Sequence, residues 1–374
     1  MTKIHVVVPV YNACKYLRSA VDSVLNQPYK GIDIVLVNDG STDGSAAICN
    51  EIAVAEERVT VIHQENRGVS AARNAGIQYF LDKEISDKDY FAFLDADDLW
   101  APNVFTEDEA LKFTSAVIGY SSYYANETAT RYRILYTQQD RSVKLKIGVF
   151  SWFANGHLGS YLIQNNILRS YGIRFPNGVK RNEDIIFLQE VGFCCEKVSY
   201  SGQVLYIYRM NSASVMHVVR YSLKNAADIA CAWNAASSWA FDVQKFTPEM
   251  CLAWKKNCEQ TAGARMLEAA RELAGSGVSY SEVCGFLTNG PYAFLFRQIN
   301  EDVLADWQKR DLSLYRKSSK RFWLKYYVTS MISRLGKFSL SIRLLRHLRD
   351  LKDFPLKCIC PRGNAPSARA VALF

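Results

Sequence analysis

The chain reads as an α/β protein, a doubly wound and mostly parallel sheet followed by a mainly helical carboxyl-terminal region. Three observations point there. Short apolar, β-branched runs recur and each is closed by a polar loop; segments with helical apolar spacing separate them; and the strand pattern stops after about His217.

Taken in order, Ile4 to Val8 is mostly apolar, as a strand buried on both faces requires, and Pro9-Val10-Tyr11-Asn12 is expected to break it. Tyr16, Leu17, Ala20, Val21, Val24 and Leu25 then stand at helical spacing, up to Gln27-Pro28. A second strand, Ile32 to Val37, leads into Asn38-Asp39-Gly40-Ser41-Thr42-Asp43-Gly44. There Gly40 permits a tight turn, and Thr42 or Asp43 is placed to cap a helix through Ala47, Ile48 and Ile52. Val59 to Ile62 forms a third strand and passes through Asn66-Arg67-Gly68-Val69-Ser70 into a helix bearing Ala71, Ala72, Ala75 and Tyr79. The fourth run, Phe91-Ala92-Phe93-Leu94, ends abruptly in Asp95-Ala96-Asp97-Asp98.

Strands and helices alternating at about 30-residue spacing need a crossover helix each time, so every polar loop follows a strand and all open on one edge. Ligands bind at that edge in open α/β sheets, which gathers Asp39, Arg73, Asn74, Asp95 and Asp97 into one candidate site. In an extended continuation of the fourth strand Asp95 and Asp97 share one side. Two hard oxygen ligands so placed suit Mg²⁺ or Mn²⁺ holding a diphosphate; an acidic turn that solvates its own charges is the plain alternative.

Composition narrows the classes further. At 374 residues, with 49% hydrophobic and 22% charged, the chain has ample core for one large and one smaller domain, and disorder is not the default. No apolar stretch reaches the roughly 18 to 20 residues that cross a bilayer, and Met1-Thr2-Lys3 leads straight into a strand too short for a signal sequence. A cytoplasmic chain is expected. The ten cysteines show neither zinc spacing nor a disulfide framework and read mostly as buried thiols. Neither Gly-x-Gly-x-x-Gly nor Gly-x-x-x-x-Gly-Lys follows the first strand, which counts against the dinucleotide and phosphate-loop folds.

Four stretches together carry a resemblance: Val7-Val8-Pro9-Val10-Tyr11-Asn12, Asn38-Asp39-Gly40-Ser41-Thr42-Asp43, Asn66 to Gly76, and Phe93-Leu94-Asp95-Ala96-Asp97-Asp98-Leu99-Trp100. In this order and spacing the chain resembles the glycosyltransferase family 2 proteins, of GT-A fold and bacterial surface-polysaccharide type, over residues 3 to 217. The resemblance implies that Pro9, Tyr11 and Asp39 line a nucleoside pocket, with Asp39 accepting a bond from the base and Tyr11 packing on it or in the core. It places Arg73 and Asn74 near the diphosphate or donor sugar, Asp95 on ribose or metal-bound water, and Asp97 on the cation. Val179-Lys180-Arg181-Asn182-Glu183-Asp184 resembles the family's acidic pair opening a helix, making Asp184 the general base and Glu183 its neighbour. Tyr206-Ile207-Tyr208-Arg209 and the trailing His217 resemble a segment in which Arg209 meets diphosphate; His217 is either a third metal ligand or an ordinary surface or core residue.

Residues 218–374 are expected to form a second, mainly helical domain after a catalytic domain of residues 1–217. From Lys309 to Arg349 basic residues interleave with aromatics such as Phe322, Trp323, Tyr326 and Tyr327, and the formal net charge of +8 is weighted there. Two readings stay open, an interfacial helix on the inner face of an anionic membrane and an ordinary packed helix with a solvated basic side. Nucleic acid is not expected, since no recognised module accompanies the segment. The expected activity is inverting, metal-dependent transfer from a nucleotide-sugar, a UDP-sugar foremost, to a saccharide or lipid-linked acceptor. The rival is a GT-A-like scaffold without turnover.

Overall fold

The computed structural model describes residues 1–107, 115–149, 157–179, 181–210 and 222–335. Four parallel strands, β1 (Ile4–Val10), β2 (Ile32–Asp39), β3 (Val59–Gln64) and β4 (Tyr90–Phe93), stand in the order β3-β2-β1-β4. Every residue of β1 is buried. Its even-numbered side chains, Ile4 to Val10, join a core with α1 (Leu17–Leu25) and α2 (Ser45–Ala55), while Val7 faces α3 (Val69–Leu81) on the other side. Helices on both faces are what an apolar strand without alternation demands.

β1 continues through Pro9, where the sequence suggested a break, and pairs it with Val37. The reason is the direction of the missing N–H. Val7 accepts from the Leu94 N–H at 3.2 Å, so the odd residues turn their backbone toward β4, whose pairing ends at Val7 and Phe93. Pro9 therefore faces a side with no partner strand to disappoint. Helix α2 also starts differently from expectation: Gly44 occupies the cap position, and Asp43 accepts the Ser45 N–H at 2.9 Å.

Beyond β4 the sheet becomes mixed. β9 (Tyr161–Gln164) lies antiparallel to β4 and to β6 (Val117–Ala125), β10 (Lys197–Arg209) runs parallel to β6, and the short β5 (Leu99–Trp100) returns antiparallel on β10. β7 (Tyr132–Tyr136) pairs with β6 and β8 (Arg141–Lys144) with β10. Helices α4 (Asn165–Tyr171) and α5 (Glu183–Phe193) share the α3 face. The pairing of β10 with β5 matters most here, because it brings the end of β10 over the acidic turn after β4.

Among the described residues two compact units separate, 1–210 with 232–258 and 222–231 with 259–335, so the division falls within α6 (Leu223–Ala236) and α8 (Pro248–Gly275). In the first unit α7 (Trp239–Asp242) and α8 bring Trp239 and Trp254 against Phe193, the latter at 5.0 Å between ring centroids. The second unit contains α9 (Tyr280–Thr288), α10 (Ala293–Arg297), α11 (Asp306–Lys317) and α12 (Ser319–Leu335). Aromatics of α12 are engaged inside it: Phe322 is fully buried, Trp323 donates to the Val278 carbonyl at 2.8 Å, and Tyr326 donates to the buried Asp311. Among the described residues no helix is long and apolar enough to cross a membrane.

Candidate active site

At the carboxyl edge of β4 the chain does not stay extended. The Asp98 N–H donates to the Asp95 carbonyl at 3.0 Å, closing a turn over Ala96-Asp97, because the chain must double back to lay β5 on β10. That corrects the extended continuation expected for Asp95 and Asp97. The turn separates three carboxylates that look equivalent in sequence. Asp98 is fully buried, accepts from the Tyr206 hydroxyl and from the Arg209 N–H (2.8 Å), and is pushed well up in pKa by burial and by Asp97 and Asp95. Asp95 is 41% exposed; one oxygen accepts from Arg73 at 2.8 Å and the other lies 3.4 Å from the Tyr206 hydroxyl. Asp97 sits half-buried at the corner.

Arg73 organises the rest. It comes from α3, is 5% exposed, and spans Asp95 and Glu183, reaching the latter at 3.1 Å with its guanidinium 5.2 Å from the Phe175 ring. Burial opposes its charge, but Asp95 and Glu183 outweigh that and hold it protonated. Glu183 and Asp184 open α5, where the helix dipole favours negative charge. Just before them Asn182 adopts φ +64° and accepts from the Trp233 indole at 3.3 Å. Burial raises both carboxyls; Asp184 raises Glu183 further, and Arg73 acts against the rise in each. A carboxylate with a raised pKa beside a fixed cation is suited to take a proton near neutral pH.

Most of the other expected residues have protein partners of their own. Asn74 uses its amide on the Phe175 backbone, donating to the carbonyl and accepting from the N–H, both at 2.8 Å, so it docks the segment before α5 onto α3. Asp39, 3% exposed, accepts from Gln64 (2.7 Å) and from the N–H groups of Arg67 and Gly68 (both 2.9 Å), and thereby shapes the loop entering α3. Pro9 lies within β1, and Tyr11 follows it 52% exposed. Arg209 turns toward α1, with its guanidinium 5.0 Å from the Tyr16 ring and a 3.1 Å bond to Ser19. His217 lies outside the described residues.

Two neighbours of the acidic turn went unread in the sequence. Tyr206, whose hydroxyl bonds Asp98, appears there only within the Tyr206-Ile207-Tyr208-Arg209 segment, with no role of its own. His157 stacks on Tyr208 at 4.7 Å and 3° and lies 5.7 Å from Tyr206; burial lowers its pKa while Asp95 acts to raise it. A lone histidine before Leu158-Gly159 carries no pattern that would have revealed it.

Residues 5–158 match the family model described as Glycosyl transferase family 2. The glycosyltransferase GlyG of Streptococcus pneumoniae is 32% identical over 241 residues, covering 60% of this chain and 76% of GlyG. The chain belongs to glycosyltransferase family 2. Within that family GlyA of S. pneumoniae is 35% identical over 228 residues, and the putative glycosyltransferase EpsH of Bacillus subtilis 32% over 229. The aligned part spans 32% of GlyA and 64% of EpsH. Among solved structures, S. aureus TarS 1–349 superposes with a TM-score of 0.54 at 16% identity, covering 90% of this chain and 93% of that one, so the GT-A-like fold is shared. The family's fold accounts for the convergence of β-strand ends described above.

Among the described residues no group of three or more His, Cys, Asp or Glu side chains is gathered as a metal cage. Two donors nevertheless fit a hard cation: Asp95, partly open to solvent, and Asp97 at the turn. Mg²⁺ and similar ions are commonly held by one or two carboxylates with substrate phosphates completing the shell. Asp98 is excluded from that set by its bonds to Tyr206 and Arg209.

Proposed function

We propose that this family 2 protein is an inverting glycosyltransferase that moves a sugar from a nucleotide-sugar, a UDP-sugar foremost, to an acceptor hydroxyl. The observation that carries the reading is Arg73. Buried between Asp95 and Glu183, it joins the acidic strand end to the helix turn bearing Asp184, two parts of the chain with separate tasks in such a reaction. A relative fold, TarS, is described in complex with UDP-GlcNAc, which supports a UDP-sugar as donor.

In this reading Asp184 takes the proton of the acceptor hydroxyl, its basicity raised by burial. The freed oxygen attacks the anomeric carbon from the face opposite the leaving group, so a single displacement inverts the configuration and needs no enzyme nucleophile. Asp95 and Asp97 would hold Mn²⁺ or Mg²⁺, which supplies charge neutralisation for the departing diphosphate. Arg73 keeps Asp95 oriented and limits the repulsion among Asp95, Glu183 and Asp184. Tyr11 and Asp39 flank the nucleoside. The family resemblance of the sequence motifs favours a saccharide or lipid-linked acceptor in cell-surface polysaccharide assembly, with residues 1–217 as the catalytic domain and the basic helical residues after it able to meet the inner face of an anionic membrane.

Calorimetric titration of UDP, GDP and UDP-sugars with Mn²⁺ and with chelator tests the donor site. Metal-dependent binding of the UDP species, weakened at least about tenfold (about 1.4 kcal/mol) by Asp97→Ala, is expected. Absence of binding by any nucleotide would favour the scaffold reading instead.

A further inference from the structure

The backbone on either side of Tyr11 is tied to the loop after β2. One side chain does most of this: the Ser41 hydroxyl accepts from the Asn12 N–H at 3.1 Å and donates to the Val10 carbonyl at 3.4 Å, holding both peptide groups that flank Tyr11. Neighbouring bonds extend the tie. Asn12 accepts from the Thr42 N–H at 2.8 Å, the Ala13 N–H donates to Ser45 at 2.8 Å, and the Cys14 N–H donates to Asp43 at 3.1 Å. Three successive amides of one loop thus find side-chain acceptors in the next. Asn12 itself sits at φ +50°, in the left-handed region that asparagine enters more readily than other residues with a side chain, and its bonds with Ser41 and Thr42 hold it there. Asp43 remains an ionised anchor: desolvation raises its carboxyl, but the Ser45 and Cys14 donors together outweigh that and bring it down to about 2.

This tie ends in an exposed aromatic ring. Tyr11 is 52% exposed at the carboxyl edge of β1, the edge where open α/β sheets bind ligands, so its ring is accessible to a base. We infer that Ser41 is a positioning residue that presets Tyr11 as the stacking surface for the nucleoside base of the donor. The inference rests on the nucleotide-sugar reading above. Fixing the peptide groups beforehand removes an ordering cost that binding would otherwise carry, so the effect falls on affinity. Ser41 has no bond to Arg73, Asp95, Glu183 or Asp184, so turnover at saturating donor should be kept.

The experiment measures UDP affinity with Mn²⁺, melting temperature, and donor KM and kcat for the wild type, Ser41→Ala, Ser41→Thr, Tyr11→Ala and the Ser41→Ala/Tyr11→Ala double variant. Ser41→Ala should weaken UDP about five- to tenfold, raise KM by a similar factor and leave kcat, as loss of two ordering hydrogen bonds, the one to Val10 long at 3.4 Å, predicts. Ser41→Thr, which retains the hydroxyl, should restore most of the affinity. In the Tyr11→Ala background Ser41→Ala should add little, because its effect passes through the ring. Additive losses, or wild-type affinity in a folded Ser41→Ala protein, overturn the positioning role while leaving the donor reading intact. A wild-type chain that binds no nucleotide overturns both.

Discussion

Replacing Arg73 by methionine removes a buried cation while keeping an unbranched apolar side chain beside Phe175. Glu183, 13% exposed, and Asp95, 41% exposed, would each lose their ion pair. Breaking a buried pair costs about 3–5 kcal/mol, because a charge is left uncompensated in a poorly solvated place. Water screens the more exposed Asp95 end, which puts the expected loss near the lower bound, about 3 kcal/mol. For a unit of roughly 150–250 residues that corresponds to a melting temperature lower by about 6–12 °C. The deficit should also depend on pH. Glu183 and Asp184 already titrate above their ordinary values of 4.5 and 3.8. Without Arg73 they rise further, so the native state binds more protons than the unfolded chain across the window above those values. Stability of the variant then falls as pH rises through that window, and the gap to wild type widens from about pH 5 to about pH 8. Thermal melts at both pH values decide the matter. A gap that is absent, or equal at the two, would refute the account of Arg73 as counter-ion to the acidic pair.

Three further perturbations probe other parts of the site. Asp184→Asn should retain UDP binding and lower transfer by about 10²–10⁴-fold, the usual worth of a general base, as single-turnover assays would show; normal transfer would remove the assignment. Gly159→Ala would place a Cβ 2.0 Å from Cε2 of Tyr206. The ring that bonds Asp98 must shift, with about 1–3 kcal/mol of destabilisation in chemical denaturation and a loss of activity larger than that of a surface control. His5, buried beside Asp89 at 3.3 Å, has its pKa lowered below 6.5, chiefly by burial. The unfolded chain then binds the extra proton first, so stability should drop as pH falls below 6.5, and His5→Asn should flatten that acid limb in pH-dependent melts.

The fold was legible because parallel strands buried on both faces, β1 and β2 above all, leave an unmistakable run of apolar residues, and each run here ends at a polar loop. What stayed hidden was pairing. Arg73 and Glu183 are 110 positions apart, and nothing in either local pattern announces the other. Asp39 illustrates a different limit: its place at a strand end was readable, but its bonds to Gln64, Arg67 and Gly68 depend on how β2 and β3 lie in register. Local chemistry was misread where topology overruled it, as at Pro9, which survives inside β1 only because β4 is shorter.

The acidic turn shows most clearly why a motif needs its partner strand before it becomes a mechanism. Asp95, Asp97 and Asp98 are chemically alike and nearly adjacent, so sequence alone ranks them by spacing. β10 supplies the distinction. Its return along β5 sets the Tyr206 hydroxyl and the Arg209 N–H on Asp98, converting that residue into a buried tie with a strongly raised pKa. Asp95 stays 41% exposed, where an ionised oxygen costs little, and Asp97 is half-buried at the corner of the turn. One carboxylate of the three therefore holds the sheet edge together, and the proposed diphosphate site draws on the other two. Removing the Tyr206 hydroxyl by Tyr206→Phe should accordingly disturb donor binding through the turn, although the hydroxyl itself bonds the carboxylate least available to a ligand.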